Sequence, residues 1–174
     1  MSLIGKQAPE WTTKAYVNGE EKTVSSKDFA GKWHVLYWYP LDFTFICPTE
    51  IKGFQELSSE FAEDGIAVIG ASTDSFHSHK AWFADKNTFP QAITHPVIAD
   101  TNHAVSKAFD VLKDEEGIAY RATVVVDDKG KVRSVSVNDT SAGRSPRETL
   151  RTVQALMSGG LCGADWHKGE KFVK

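Results

Sequence analysis

The sequence predicts an α/β protein built on a central mixed sheet with helices on both faces. Three observations lead to this class. β-prone runs alternate with helical patterns through the first two thirds of the chain, two further β-prone runs flank a hairpin turn, and a helix-start signal follows them. Strands that alternate with helices are typical of parallel β–α–β units, whereas the late hairpin adds an antiparallel pair.

The N-terminal part predicts an irregular start followed by a small hairpin. Asn18-Gly19 is the turn signal between two short strands, Thr12–Val17 and residues 22–24. The next strand, over residues 35–39, is rich in β-branched and aromatic residues, and Pro40 closes it.

A long helix is predicted after Pro48. Its apolar residues recur at spacings of three and four and therefore share one helix face: Ile51, Phe54, Leu57 and Phe61. Gly65 ends this helix, and residues 66–71 form a second buried strand.

The second half of the chain continues the alternation and closes with a hairpin and a last helix. Ser145 is the expected N-cap of that helix, with Pro146 at its first position and Glu148 at its third. The elements before it are a helix over 75–89, a strand over 95–99, a helix over 102–112, and strands over Arg121–Val126 and 132–137. This order matches a thioredoxin-like fold with N-terminal and internal insertions.

No repeat, linker or low-complexity segment divides the 174 residues. We therefore expect one domain over residues 1–157, a length that allows a sizeable core. Residues 158–174 are expected to form a flexible tail, because three glycines lie close to Cys162 in the sequence.

Composition excludes several classes of partner. The net charge is −3 and the basic residues lie among acidic ones, so neither nucleic acid nor a membrane surface is an expected partner. The N-terminus lacks an export signal, and the longest apolar runs are strand-sized, which predicts a cytoplasmic protein. Neither a metal nor another cofactor is expected, because two cysteines alone make a poor metal site and His77 and His79 have no evident third ligand.

Cys47 lies between a strand-exit loop and Pro48, at the expected start of a helix. The positive end of the helix dipole would face its sulfur and favour the thiolate, which is the nucleophilic form. Thr44, three residues earlier, can donate a hydrogen bond to a thiolate or to a peroxide oxygen. Phe43 and Phe45 instead favour a buried, inert thiol, so the residues alone leave both interpretations open.

The pattern Pro40-x-x-x-Thr44-x-x-Cys47 resembles the active-site motif of the peroxiredoxins. The longer string from Asp42 to Glu50 resembles the typical two-cysteine group, which includes the peroxidase subunit of alkyl hydroperoxide reductase. Similar short segments run in the same order along nearly the whole chain. The resemblance implies a thiol peroxidase that reduces hydrogen peroxide and organic hydroperoxides.

The resemblance also implies a role for each matching residue. Cys47 would be the peroxidatic thiol, oxidised to a sulfenic acid. Its pocket would be completed by Pro40, Thr44 and Arg121, with Glu50 and Arg144 as a supporting network.

Cys162 matches the resolving cysteine, since Trp166 and Lys168-Gly-Glu170 follow it as in similar tails. In such proteins the resolving thiol comes from the partner subunit, which implies a Cys47–Cys162 disulfide across a homodimer. A ring-shaped decamer, and thioredoxin or a dedicated flavoprotein as the reductant, are implied in the same way.

The sequence differs from over-oxidation-prone relatives in two ways, and three other functions were weighed against the peroxidase. The chain has no Gly-Gly-Leu-Gly segment and no C-terminal Tyr-Phe pair, which mark relatives prone to over-oxidation, so we expect disulfide formation to outrun over-oxidation of Cys47. A disulfide reductase would need a second cysteine at position 50, which is Glu50. A cysteine hydrolase would need a histidine base near the motif. A holdase chaperone activity could coexist with the peroxidase.

Overall fold

The computed structural model describes residues 2–174, and a seven-stranded mixed sheet forms its centre. The strands are β1 (Thr12–Val17), β2 (Glu20–Ser25), β3 (His34–Trp38), β4 (Ala67–Ser72), β5 (Val97–Ala99), β6 (Leu112–Lys113), β7 (Ile118–Ala119), β8 (Arg121–Val126) and β9 (Val132–Asn138). Their order in the main sheet is β2-β1-β5-β4-β3-β8-β9, and β6 and β7 form a separate small hairpin.

The helices are α1 (Cys47–Glu56), α2 (Ser58–Glu63), α3 (Phe76–Phe83), α4 (Ala104–Ala108) and α5 (Pro146–Ser158). Ser145 caps α5 as predicted, because its side chain accepts the Glu148 N–H at 3.2 Å. No helix within residues 2–174 is long and apolar enough to cross a membrane.

The predicted mixed sheet is confirmed. β3 pairs in parallel with β4, and β4 with β5, whereas β3–β8 and β8–β9 are antiparallel. The predicted N-terminal hairpin is present, and β1 also pairs with β5, so the hairpin extends the sheet.

Three predicted helices differ from those observed. The long first helix breaks at Leu57, whose ψ of 4° ends α1, and α2 starts at the next residue. The helix predicted over 75–89 ends at Phe83, because the Asp85 carboxylate binds the Asn87 N–H and the Thr88 hydroxyl and stabilises a turn instead. The helix predicted over 102–112 shrinks to α4, and Asp110, with φ of 57°, follows its end.

The side chains of β3 divide the core between the two faces of the sheet. Val35 and Tyr37 point toward the cluster that contains the apolar faces of α1, α2 and α5. Leu36 and Trp38 point toward the opposite cluster, which includes α4. The side chains of β3 thus alternate with a period of two, and Cys47 belongs to the same cluster as Tyr37.

Candidate active site

Cys47 lies where the loop that follows β3 turns into α1. It is the first residue of the helix, Pro48 is the second, and Ile46 is an N-cap without a side-chain hydrogen bond. The thiol is fully buried. Phe43 and Phe45, which were expected to crowd it, are instead 63% and 92% exposed, so other elements bury the sulfur.

Arg121 brings a guanidinium to the sulfur. Its Nη1 lies 3.4 Å from the Cys47 Sγ and 2.6 Å from a carboxylate oxygen of Glu50, and its Nε donates to the Thr140 carbonyl at 2.8 Å. Arg121 is the first residue of β8 and is 4% exposed, so a rigid element positions its side chain.

Arg144 holds the other side of Glu50. Its backbone N–H and its Nε each donate to one carboxylate oxygen at 2.9 Å, and its Nη2 lies 3.2 Å from the other oxygen. Its guanidinium also donates to the carbonyls of Ala122 and Trp38. The guanidinium carbon lies 5.5 Å from the centre of the Tyr37 ring.

The charges of this cluster matter because it is buried. Glu50, Arg121 and Arg144 have side chains that are at most 5% exposed, and they carry one negative and two positive charges. One net positive charge therefore faces the sulfur. An anionic Cys47 thiolate would neutralise it, and buried charges are tolerated where they are paired. The arrangement thus provides a compensating charge for a thiolate at this position.

Pro40 and Thr44 lie in the loop between β3 and α1. Pro40 is buried, as a wall of the pocket would be. The Thr44 hydroxyl donates to the Leu41 carbonyl at 2.8 Å rather than to the sulfur. Thr44 would have to rotate its hydroxyl to donate to a bound peroxide.

A buried network behind the loop was not predicted from the sequence. His79 lies 2.8 Å from Asp42 through Nδ1 and 3.1 Å from the Ile98 carbonyl through Nε2, and Tyr39 donates to Asp42 at 2.8 Å. Burial raises the pKa of Tyr39 well above its usual value, so the phenol stays protonated. The network anchors the Cys47 loop to α3. The spacing of His79 from Phe76 and Phe83, on one helix face, was the available signal.

His77 and His79 were considered above as possible metal ligands. In the structure, His79 is part of this buried network instead. His79 has a carboxylate and a carbonyl as its partners. Within residues 2–174, no group of three or more acidic, histidine or cysteine side chains is arranged to hold a metal ion.

Cys162 lies in the tail beyond α5, and the structure does not bring it to Cys47. Both thiols are free. The Cys162 sulfur lies 3.3 Å from the Ser158 hydroxyl and 3.6 Å from the Ala155 carbonyl, at the C-terminal end of α5. The end of α5 that meets α1 is the opposite one, where Pro146 packs closely on Gly53.

The tail is irregular, but it packs on the body of the protein. Trp166 is 5% exposed, its carbonyl accepts from Arg151 at 3.0 Å, and its ring stacks on Phe172 at 5.8 Å. Lys168 forms an ion pair with Asp64 at the end of α2. The flexibility predicted for residues 158–174 therefore requires these contacts to break.

Comparison with known proteins bears on the whole chain. A model described as the AhpC/TSA family matches residues 4–135. The thioredoxin peroxidase of Echinococcus granulosus is 42% identical, with 99% of this chain and 93% of that protein aligned. Peroxiredoxin prdx-2 of Caenorhabditis elegans is 44% identical, with 99% and 89% aligned.

Solved structures give the same result. Enterococcus faecalis AhpC superimposes with a TM-score of 0.87 at 36% identity, over 91% of this chain and 94% of that one. The reduced two-cysteine peroxiredoxin of Plasmodium vivax gives a TM-score of 0.92 at 34% identity, over 98% and 92%. The thioredoxin-like fold predicted from the order of elements is confirmed.

Proposed function

Because the chain belongs to the AhpC/TSA family and is a thiol-dependent peroxidase, we propose that Cys47 is the thiol that attacks the peroxide. The observation that carries this assignment is the contact between Cys47 and Arg121. A buried sulfur with a guanidinium at 3.4 Å has the surroundings that a thiolate requires.

The proposed reaction transfers one oxygen from the peroxide to sulfur. The Cys47 thiolate attacks one peroxide oxygen in line with the O–O bond, an S–O bond forms, and the O–O bond breaks. Sulfur is oxidised by two electrons to a sulfenic acid, and the peroxide is reduced to water or an alcohol after its leaving oxygen takes up a proton.

Negative charge moves from sulfur to the leaving oxygen during this step. A donor fixed at that oxygen stabilises the transition state more than the ground state. Arg121 is the candidate donor, and Glu50 and Arg144 hold it in place. Thr44 would donate a second hydrogen bond once its hydroxyl leaves the Leu41 carbonyl.

Cys162 of the partner subunit is proposed to resolve the sulfenic acid as a disulfide, with release of water. Within one chain, Cys162 lies by Ala155, nine residues along α5 from Pro146, which is about 14 Å at the helical rise per residue. A disulfide needs its two Cα atoms within about 7 Å. In this proposal a second copy of the chain would supply the resolving thiol.

A homodimer and a larger ring, with the decamer as the expected size, are part of this proposal. The edge strand β9 pairs with β8 on one side, its other side bonds within residues 2–174 to the N-terminal segment only at Val132, and Val137 on it is 48% exposed. Phe43 and Phe45 expose apolar surface beside the site. Assembly would cover these surfaces.

Turnover also needs a reductant that cleaves the disulfide. We propose thioredoxin or a dedicated flavoprotein disulfide reductase, acting in the cytoplasm, where thiols are kept reduced. Residues 1–157 would act as the peroxidase domain, and residues 158–174 as the tail that carries Cys162.

The test compares peroxide consumption by the wild type, Cys47→Ser and Cys162→Ser, with non-reducing gels run in parallel. We expect no activity from Cys47→Ser, and a disulfide-linked dimer only in the oxidised wild type. A Cys47→Ser variant that still consumes peroxide would contradict the assignment. A covalent dimer in oxidised Cys162→Ser would contradict the resolving role alone.

A further inference from the structure

Tyr37 in β3 is a fully buried tyrosine whose hydroxyl lies 2.7 Å from the Nε2 of His95, a residue that is 8% exposed. The His95 Nδ1 lies 3.3 Å from the Gln55 Oε1. That oxygen also accepts the Thr94 backbone N–H at 2.9 Å, and an N–H only donates, so the orientation of the Gln55 amide is fixed.

One arrangement of protons satisfies all of these contacts. Burial lowers the pKa of His95 from 6.5 to about 4, so its imidazole is neutral at neutral pH and has one donor and one acceptor. Gln55 presents an acceptor to Nδ1, so Nδ1 carries the proton. Nε2 then accepts the hydroxyl hydrogen of Tyr37.

The sheet also leaves space for this hydroxyl. Gly70 in β4 lies beside it, and a Cβ at that position would approach the Tyr37 oxygen to 2.9 Å. Three residues distant in sequence therefore accommodate the Tyr37 hydroxyl: Gly70 leaves space for it, His95 contacts it, and Gln55 orients His95. A phenylalanine at position 37 would use none of them.

The Tyr37 ring in turn contacts Phe54 of α1 on one side and Arg144 on the other. It stacks on Phe54 of α1, with ring centres 4.1 Å apart and planes 14° apart. The Arg144 guanidinium carbon lies 5.5 Å from the same ring centre. Because α1 carries both Cys47 and Glu50, the ring sets the spacing between that helix and Arg144.

We propose that Tyr37 and His95 are positioning residues for peroxide reduction. Their hydrogen bond fixes the rotation of the Tyr37 ring, and the ring sets the separation between Arg144 and α1. At that separation Glu50 orients Arg121, which donates to the Cys47 sulfur. The proposal rests on the proposed function, because it assumes that Cys47 reacts with the peroxide. Neither residue has a hydrogen bond to the sulfur.

Four variants test the hydroxyl–imidazole bond. Tyr37→Phe keeps the ring and removes only the hydroxyl, and we expect it to lower the second-order rate constant of Cys47 oxidation about two- to tenfold. His95→Leu should have a similar effect. His95→Gln, whose amide oxygen can accept the hydroxyl hydrogen, should stay within about twofold of the wild type. The double variant of Tyr37→Phe with His95→Leu should lose less than the two single losses combined, because neither partner is left unsatisfied.

The measurement is rapid-mixing oxidation of the reduced enzyme by hydrogen peroxide, with melting temperature and the rate of disulfide reduction recorded for each variant. Tyr16→Phe is the matched control, because Tyr16 is another buried tyrosine, in β1. Both tyrosine variants should be less stable, but only Tyr37→Phe should oxidise more slowly, with its reduction rate unchanged.

The proposal is overturned if Tyr37→Phe reacts at the wild-type rate, if Tyr16→Phe is slowed equally, or if His95→Gln and His95→Leu are slowed alike. Cys47→Ser in the same assay distinguishes a failure of the proposed function from a failure of the positioning role. Peroxide consumption by Cys47→Ser would remove the proposed function itself. An inactive Cys47→Ser beside a fully active Tyr37→Phe would remove only the positioning role.

Discussion

Replacing Arg121 by methionine tests the electrostatic basis of the site. The change keeps most of the buried side-chain volume but removes the cation, so the net charge of Arg121, Glu50 and Arg144 falls from +1 to zero. The Cys47 thiolate then has no net charge to neutralise, and the leaving oxygen loses its nearest donor.

The size of the effect follows from the contact distance. At 3.4 Å and an effective dielectric constant of about 20, a full positive charge and a thiolate attract by about 5 kcal/mol. The guanidinium spreads its charge and Glu50 offsets part of it, so the loss should be smaller. Removal of one preorganised donor to a developing negative charge costs about 3–4 kcal/mol, or about 10²- to 10³-fold in rate.

The assay is the second-order rate constant of Cys47 oxidation, measured by rapid mixing with hydrogen peroxide, with circular dichroism as the check on folding. Arg133→Met is the matched control, because Arg133 is a half-exposed arginine of β9 that pairs with Asp127. It should react within about twofold of the wild type, since neither Arg133 nor Asp127 has a hydrogen bond to Cys47, Glu50 or Arg144. A folded Arg121→Met that keeps the wild-type rate would refute the electrostatic argument.

Three further predictions concern stability, the tail and over-oxidation. Burial lowers the pKa of His95 from 6.5 to about 4, so as the pH falls the unfolded chain takes up a proton before the folded chain does. The free energy of unfolding should therefore fall by about 3 kcal/mol from pH 7 to pH 4 through this residue. Urea titrations at several pH values should show a smaller fall for His95→Gln than for the wild type. Asp64→Asn weakens the contact with Lys168 and should speed disulfide formation up to about fivefold, seen as earlier appearance of the covalent dimer on gels, whereas an unchanged rate would show that this ion pair does not hold the tail. In millimolar peroxide with reductant present, mass spectrometry should find mainly the Cys47–Cys162 disulfide, and rapid accumulation of sulfinic Cys47 would contradict the expectation drawn from the missing segments.

The parts of the fold that sequence predicts well are those with a local cause. The Asn18-Gly19 turn, the β8–β9 hairpin and the capped start of α5 each depend on a few adjacent residues, and all three are present. Helix lengths depended on side chains that compete for the backbone. The Asp85 turn shortened α3 in a way that apolar spacing does not reveal.

The site shows a similar division. Cys47 stands out from its position before Pro48, but the pairing of Arg121 with Cys47 joins residues 74 positions apart, and Arg144 meets Glu50 across 94 positions. A sequence pattern cannot tell which arginines are buried, so these roles came only from the family resemblance. The Tyr37–His95 bond had neither a local pattern nor a motif that would indicate it.

The two halves of α1 are held by different contacts, which fits the two tasks proposed for Cys47. The first turn has no side-chain cap, and Pro48 has no N–H; the Ile46 carbonyl, just before the helix, accepts the Thr49 and Glu50 N–H groups at 3.0 and 3.4 Å. The second half is fixed by Phe54 and Gln55 against Tyr37 and His95.

The chemistry itself can release the first turn. While Cys47 is a thiolate, its charge is attracted to the net positive cluster at its side. Oxidation to a neutral sulfenic acid removes that charge and leaves the cluster with one uncompensated positive charge in a buried setting, which is unfavourable. In the proposed mechanism, the attraction between the buried sulfur and this cluster would therefore be lost at the step after which the sulfur has to meet Cys162. We infer that the peroxide reaction weakens the start of α1 while Tyr37 and His95 keep the rest of the helix in place.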